Sequence, residues 1–329
     1  MRVLVTGGAG FIGSHVCEAL VGRGDIVVAL DDLSTGAPAN LRSLEAHPDF
    51  TFVDGSVVDR AVVNRLVRRV DAIVHLASPV GVRLIVERPL ESIHTMIHGT
   101  EAVLDAARSH GTTVLVASTS EIYGKNVGRL DEDADRLCGP TTVPRWSYAA
   151  AKAIDEFLAF GYWQEYGLPT VVLRFFNTVG PRQTGSYGMV LPRFVARALL
   201  EEPLIVFGDG SQRRCFCHVA DAVRAVVGLL DRRDAVGRAF NIASEEEVTI
   251  LELAHRVLDL TGSSSPVQLV PAHHEYGERF EDIERRQPDT RRVRSLLGWA
   301  PLYSLEATIK DVAAEALRVG PATLLSRDR

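Results

Sequence analysis

Residues 1–13 read Met-Arg-Val-Leu-Val-Thr-Gly-Gly-Ala-Gly-Phe-Ile-Gly, and this stretch decides the fold. Arg2 to Thr6 is a short β-branched apolar run suited to a strand buried on both faces, and the glycines start directly after it. Apolar and small residues then recur at helical spacing (Phe11, Ile12, Val16, Ala19, Leu20), so the glycine turn opens a helix. The unpaired N–H groups of that helix start make a seat for phosphate. Gly7, Gly10 and Gly13 have no side chain to block a pyrophosphate, and Gly8 to Gly13 also satisfies the dinucleotide fingerprint. A second apolar run, Ile26 to Leu30, ends in Asp31-Asp32, where an acid can accept hydrogen bonds from adenosine ribose hydroxyls. Acid at that strand end, in place of Arg, favours NAD over NADP.

Further on, Leu33-Ser34-Thr35-Gly36-Ala37-Pro38 is a loop along the adenosine side, and Thr51 to Val53 reads as a third strand ended by Asp54-Gly55-Ser56. A helix pattern spans Asp59 to Arg69, then comes the strand 72–77, where His75 reads as a core histidine. Pro89 opens a helix to about His110, followed by the strand Thr113 to Ala117. Strands alternating with helices predict a Rossmann-type doubly wound parallel sheet, because parallel neighbours need crossover connections. The boundaries read as a dinucleotide-binding domain over 1–175 with a returning segment near 212–245. A smaller mixed α/β lobe takes 176–211 and 246–329, and the tail after Gly320 reads as loose.

The 329 residues carry a formal net charge of -6, with nothing that gathers Lys and Arg into a stripe for nucleic acid. No apolar run approaches membrane-spanning length and no targeting segment precedes the first strand, so a cytoplasmic location is expected. The four cysteines, Cys17, Cys138, Cys215 and Cys217, show neither zinc spacing nor a CxxC pair, and read as buried free thiols without metal.

At the carboxyl end of the fifth strand lies Ser118-Thr119-Ser120-Glu121-Ile122-Tyr123-Gly124, where ligands bind in such sheets. Tyr148 and Lys152 sit four apart in the first turns of a helix that starts after Pro144-Arg145-Trp146-Ser147, on one face. A neighbouring ammonium favours phenolate, so Lys152 is expected to lower the Tyr148 pKa into working range. Thr119 is placed to share the same substrate hydroxyl.

Taken together, Gly7-x-x-Gly10-x-x-Gly13, the segment Ser118 to Gly124 and Tyr148-x-x-x-Lys152 resemble the extended short-chain dehydrogenase/reductase family. More closely, the chain resembles its nucleotide-sugar branch of 4-epimerases, 4,6-dehydratases and UDP-glucuronate decarboxylases, over almost its whole length to about residue 318. The resemblance implies an NAD that is reduced and reoxidised within one turnover, held by Gly7, Gly10, Phe11, Ile12, Gly13, Asp31, Asp32, Ser34, Thr35, Gly36, Asp54, Leu76, Ala77, Tyr148 and Lys152. Thr119, Glu121, Tyr148 and Lys152 are the implied catalytic set, with Tyr148 taking the sugar C4 hydroxyl proton. For a UDP-sugar substrate it implies Val80, Thr119, Asn177, Arg182, Ser186, Leu191, Phe207, Arg214 and Arg286, with Phe207 stacking on uracil and Arg214 and Arg286 clamping the diphosphate. It also implies a homodimer through the helices near 90–110 and 148–166.

Glu121 occupies a position where dehydratases and decarboxylases carry Glu and simple epimerases often Ser or Thr, which leans toward chemistry at sugar C5 or C6. Ser120 replaces the Asp that dehydratases use on the departing C6 hydroxyl. Ser56 and Met96 stand where the family usually has Asp and Asn, and Ser186 where an Arg would meet a uronate carboxylate. The sequence reads first as a UDP-sugar 4-epimerase with UDP-glucuronate the leading substrate and UDP-glucose the other, and second as a UDP-glucuronate decarboxylase. A 4,6-dehydratase and a non-catalytic nucleotide-binding protein rank behind these.

Overall fold

The computed structural model describes residues 1–79, 88–185, 189–271 and 283–325. The first strand, β1 (Arg2–Thr6), is followed by β2 (Ile26–Asp31), β3 (Phe50–Asp54), β4 (Ala72–His75), β5 (Thr113–Thr119), β6 (Thr170–Phe175) and β7 (Arg238–Ile242). Together they form one sheet in the order β7-β6-β5-β4-β1-β2-β3, every neighbouring pair parallel. The strand order reverses between β1 and β4, and that reversal opens the crevice in which such sheets bind ligands.

Alternation along β1 shows why both faces must be covered. Val3 and Val5 belong to one hydrophobic cluster and Leu4 to another on the opposite side, all fully buried. The first cluster takes Val16 and Leu20 from helix α1 (Phe11–Gly22). The second takes Val63 and Val67 from α2 (Arg60–Val67), Val103 and Leu104 from α3 (Pro89–Arg108) and Ala159 from α4 (Trp146–Tyr166). Asp59 caps α2 by accepting from the Ala61 and Val62 amides. Truncating a fully buried leucine such as Leu4 to alanine would cost about 2–5 kcal/mol.

Helix α5 (Val190–Leu199) belongs to a separate core, built with Val206, Leu253, Val257, Ile309 and Leu324. Between them runs α6 (Val219–Leu230), which returns to the first cluster, while α7 (Ile250–Thr261) begins in a Thr249/Glu252 capping box. Helix α8 (Arg291–Leu297) and the amphipathic α9 (Leu305–Val319) follow.

Two expectations are corrected here. The segment after Gly320 is not loose as far as residue 325: Pro321–Leu325 forms a short helix, α10, whose Leu324 packs into the second core and whose Leu324 carbonyl accepts from the Gly185 amide at 2.9 Å. Apolar contact with α5 outweighs the poor intrinsic helicity of so short a segment. Of the four cysteines, Cys17, Cys215 and Cys217 are buried, but Cys138 is exposed, since it lies in the irregular stretch between β5 and α4 and outside any core cluster.

Candidate active site

The crevice at the carboxyl ends of β1, β4 and β5 continues into the second core as one cleft of about 1150 Å³, large enough for a dinucleotide beside a second ligand. Its walls include Gly7, Gly10, Phe11, Ile12, Gly13, Asp31, Asp32, Ser34, Thr35, Leu76 and Ala77 at one end. Thr119, Glu121, Tyr148 and Lys152 lie in the middle, and Asn177, Arg182, Leu191, Phe207, Arg214 and Arg286 lie toward the other end. Gly36 and Asp54 are not among the lining residues: Gly36 turns tightly behind the Asp31 carboxylate, and Asp54 ends β3 beside Asp31 with its side chain exposed. Val80 and Ser186 lie outside the described residues.

The dinucleotide end follows from backbone geometry. Gly7 has φ +71°, and a Cβ on Gly13 would lie 2.0 Å from the Gly7 carbonyl oxygen, so the turn admits no side chain where the helix meets the strand. Helix α1 starts at Gly10 with no side-chain cap and no acid in its first turn, which leaves its first N–H groups and their partial positive charge turned to the cleft. Asp31 accepts from the Ala9 and Leu33 amides at 2.9 and 2.8 Å, which fixes its carboxylate at the cleft edge. Burial raises its pKa, against the pull of those two hydrogen bonds. Asp32 accepts from Ser34 and from the Ser56 hydroxyl at 3.0 Å, so the serine that stands where the family carries Asp is used to hold Asp32. Glycine cradle, uncapped helix start and strand-end acids fit NAD.

The central groups are brought in from three elements. Strand β5 ends at Thr119 and passes into a 3-10 turn over Ser120–Tyr123, with the Thr119 hydroxyl accepting from the Glu121 amide at 3.2 Å. Helix α4 carries Tyr148 and Lys152. Arg145 precedes it and reaches Glu121 Oε2 at 3.1 Å, while Arg286 arrives from residues 283–288, where Gln287 and Pro288 pair with Arg129 and Leu130. Arg286 Nη1 lies 2.8 Å from Glu121 Oε1 and donates to the Ser120 hydroxyl at 3.1 Å. Burial by itself would raise the Glu121 pKa, but the charges of Arg145, Arg286 and Arg214 outweigh it and hold the carboxyl at about 2.

Lys152 does not do what its spacing predicts. Its Nζ donates to the Ala117 carbonyl at 3.0 Å and to Asp155 Oδ2 at 3.1 Å. The Tyr148 phenol is pushed up, first by burial and then by the charge of Glu121, with a hydrogen bond to Thr119 pulling the other way. The expected lowering by the ammonium is therefore corrected: a carboxylate one turn further along the helix matches its charge. His75 is buried as read, bonded to Thr6 at 2.7 Å and Thr100 at 3.1 Å, and burial followed by the Lys152 charge holds its pKa down at about 3. Met96 is almost wholly buried and brings no polar atom to the site.

At the far end, Asn177 (φ +22°) donates its amide to the Cys215 carbonyl at 3.0 Å beside Arg214, and Arg182 (φ +70°) binds Glu18 and Ser14 of α1 at 2.6 and 3.2 Å. Arg193 lies over the Phe207 ring at 5.8 Å. Sequence reasoning did not place Arg145 in the site, nor Asp155 behind Lys152, nor the α9–α10 wall formed by Arg318, Thr323 and Leu324. Helical spacing signals Asp155, three residues after Lys152. Nothing local signals the wall.

A family model described as the NAD dependent epimerase/dehydratase family matches residues 3–243. The chain belongs to this family. It is an NAD-dependent enzyme of the short-chain dehydrogenase/reductase type, in the nucleotide-sugar branch. A Bacillus cytotoxicus protein named UDP-N-acetyl-alpha-D-glucosaminuronate decarboxylase is 40% identical over 311 residues, covering 94% of this chain and 96% of that protein. A Danio rerio protein named UDP-glucuronic acid decarboxylase 1 is 36% identical over 93% of this chain and 70% of its own length. Among solved structures, the UDP-glucuronic acid 4-epimerase of Bacillus cereus, in complex with UDP-glucuronic acid and NAD, superposes with TM-score 0.88 at 27% identity, over 97% of this chain and 100% of that one.

Proposed function

We propose that this member of the family is a UDP-uronic acid decarboxylase, acting on UDP-glucuronate or its 2-acetamido counterpart. The observation that carries the reading is Glu121 held between Arg145 and Arg286, with Ser120 alongside. Two buried guanidiniums converge on this one point of the cleft wall, and such paired forks suit the C6 carboxylate of a uronic acid. The curated relatives reported above point the same way, and the order of preference between the two reactions reverses in favour of decarboxylation.

NAD, when bound, supplies the hydride acceptor for oxidation at sugar C4 and returns that hydride at the end of the turnover. Tyr148, linked to Thr119, takes the C4 hydroxyl proton as general base. With C4 a ketone, the C5 carboxylate stands β to a carbonyl, and its bonding electrons move toward the C4 oxygen as carbon dioxide leaves. The Tyr148 and Thr119 hydroxyls can hydrogen-bond that oxygen while it bears negative charge. C5 then takes up one proton, and Tyr148 returns its proton to the C4 oxygen. Arg286 and Arg145 keep the departing carboxylate in register, and Glu121 fixes their forks.

Dehydration is disfavoured because Ser120, and not an acid, stands where a dehydratase would protonate the departing C6 hydroxyl, and its hydroxyl accepts from Arg286. Simple epimerisation leaves the Glu121 cluster without a task in bond-breaking. Purified enzyme with NAD is incubated with UDP-glucuronate and with UDP-N-acetylglucosaminuronate, and products are followed by proton NMR and carbon dioxide release. A UDP-pentose with carbon dioxide is expected from one of them. An inverted UDP-hexuronate without gas would move the reading to the 4-epimerase suggested by the Bacillus cereus neighbour.

A further inference from the structure

Asp155 lies almost one turn beyond Lys152 on α4 and is fully buried, with Oδ2 3.1 Å from the lysine ammonium. It is not a wall of the cleft, so it meets neither cofactor nor sugar. A buried carboxylate with no ligand to serve needs another task, because its desolvation is costly unless a partner offsets it.

The charged and titratable groups around it come from every element packed there. Tyr148, Lys152 and Glu156 share its helix, and Glu156 is already held by two hydrogen bonds from Arg174 on β6. Strand β5 offers the Ala117 carbonyl, which takes the other hydrogen bond of Lys152. Burial raises the Asp155 pKa, against the charge and hydrogen bond of Lys152 and, after them, the Thr100 hydroxyl of helix α3, which favour the carboxylate; behind Thr100, His75 of β4 is kept neutral. Lys152 is therefore the cation that Asp155 matches. Seen from the phenol, ammonium and carboxylate together form a dipole, whose field falls off faster than that of a lone charge. Asp155 also acts directly on Tyr148, opposing its ionisation.

We propose that Asp155 is a positioning residue for the oxidation step: it fixes Lys152 against the Ala117 carbonyl and matches its charge, and thereby sets how strong a base Tyr148 is. This rests on the assignment of Tyr148 as the base and is independent of whether carbon dioxide is lost.

The test uses full-length protein labelled with ¹³Cζ-tyrosine, the Tyr148 resonance being identified by its loss in Tyr148→Phe, titrated with and without NAD. In Asp155→Asn the Tyr148 midpoint is expected to fall by about one unit or more relative to wild type, a tenfold change in its ionisation constant. Asp155→Glu, which restores the charge, should return it toward wild type. In parallel, the acidic limb of the rate of enzyme-bound NADH formation with a UDP-hexuronate should move to lower pH in Asp155→Asn. A midpoint equal to or above wild type in Asp155→Asn, or a resonance as unresponsive as wild type up to about pH 11, overturns the proposal. Should Asp155→Asn fail to fold, Thr100→Val is titrated instead. Losing a hydroxyl that favours the Asp155 carboxylate should shift the midpoint the same way by less, and no shift overturns the proposal. A Tyr148→Phe enzyme that still oxidises the sugar at the wild-type rate would instead remove the Tyr148 assignment itself.

Discussion

Arg286 and Glu121 meet across the cleft, Nη1 to Oε1 at 2.8 Å, although they are carried by segments more than 160 residues apart in the chain. The contact joins the turn after β5 to the segment that enters the short Gln287–Pro288 pairing. Expected as a diphosphate clamp, Arg286 also makes contact with Glu121 and Ser120.

Removing Arg286 takes away one of the two guanidiniums that hold Glu121 and leaves Arg145 as its remaining ion pair. Arg286→Ala should lower decarboxylation by on the order of 10²-fold or more, with bound NADH accumulating because C4 oxidation comes first, whereas Arg286→Lys should retain more activity. Absorbance at the NADH band together with carbon dioxide release reads both steps. Equal loss of the two signals would place Arg286 in substrate binding alone.

Tyr148→Phe should abolish C4 oxidation by on the order of 10²–10⁴-fold while NAD affinity changes little, as the phenyl ring keeps its packing. Isothermal titration with NAD and single-turnover absorbance separate the two effects.

Acid should destabilise the fold in two windows. His75 ordinarily titrates at 6.5 and is held at about 3 in the fold, so the unfolded chain binds its proton first and stability falls as pH drops below 6.5. Glu121 is held at about 2 against an ordinary 4.5, and its contribution of roughly 3 kcal/mol, complete above 4.5, is lost as pH falls toward 2. Melting temperatures measured between pH 7 and pH 4 should fall less steeply in His75→Asn than in wild type.

Ending the chain after Gly320 removes α10, and with it Leu324 from the second core and the carbonyl that holds the Gly185 amide. Leu324 and Thr323 also line the cleft with Phe207 and Leu191. The truncated enzyme should show a KM for its UDP-sugar raised by about tenfold with NAD affinity unchanged, and stability lowered by about 2–5 kcal/mol.

The expected homodimer has an apolar surface available to it. Ile154 and Phe157 of α4 are 42% and 67% exposed, and Leu90 of α3 is 72% exposed. We propose that copies of the chain pair through this face, so that Phe157→Glu should elute as monomer by size-exclusion chromatography and light scattering where wild type elutes as dimer. An elution unchanged from a dimeric wild type would place the interface elsewhere.

Much of the fold was legible from residue order, because strand burial on two faces, glycine at a positive φ and helical spacing are local constraints written into neighbouring residues. Gly7 to Gly13, the acids closing β2, and the Tyr148/Lys152 pair were readable on those grounds, as was the parallel sheet. Element ends shifted by a residue or two where tertiary contact extended or trimmed them, as β3 runs from Phe50 to Asp54. What the chain order could not reveal is which charges meet. Lys152 faces Tyr148 by spacing, yet its ammonium is matched by Asp155, and Arg286 reaches Glu121 only because the sheet and the second core bring their segments together. Coulomb energies depend on distance and burial in three dimensions, so the strength of the base and the sign of the sugar pocket were decided by the tertiary structure alone.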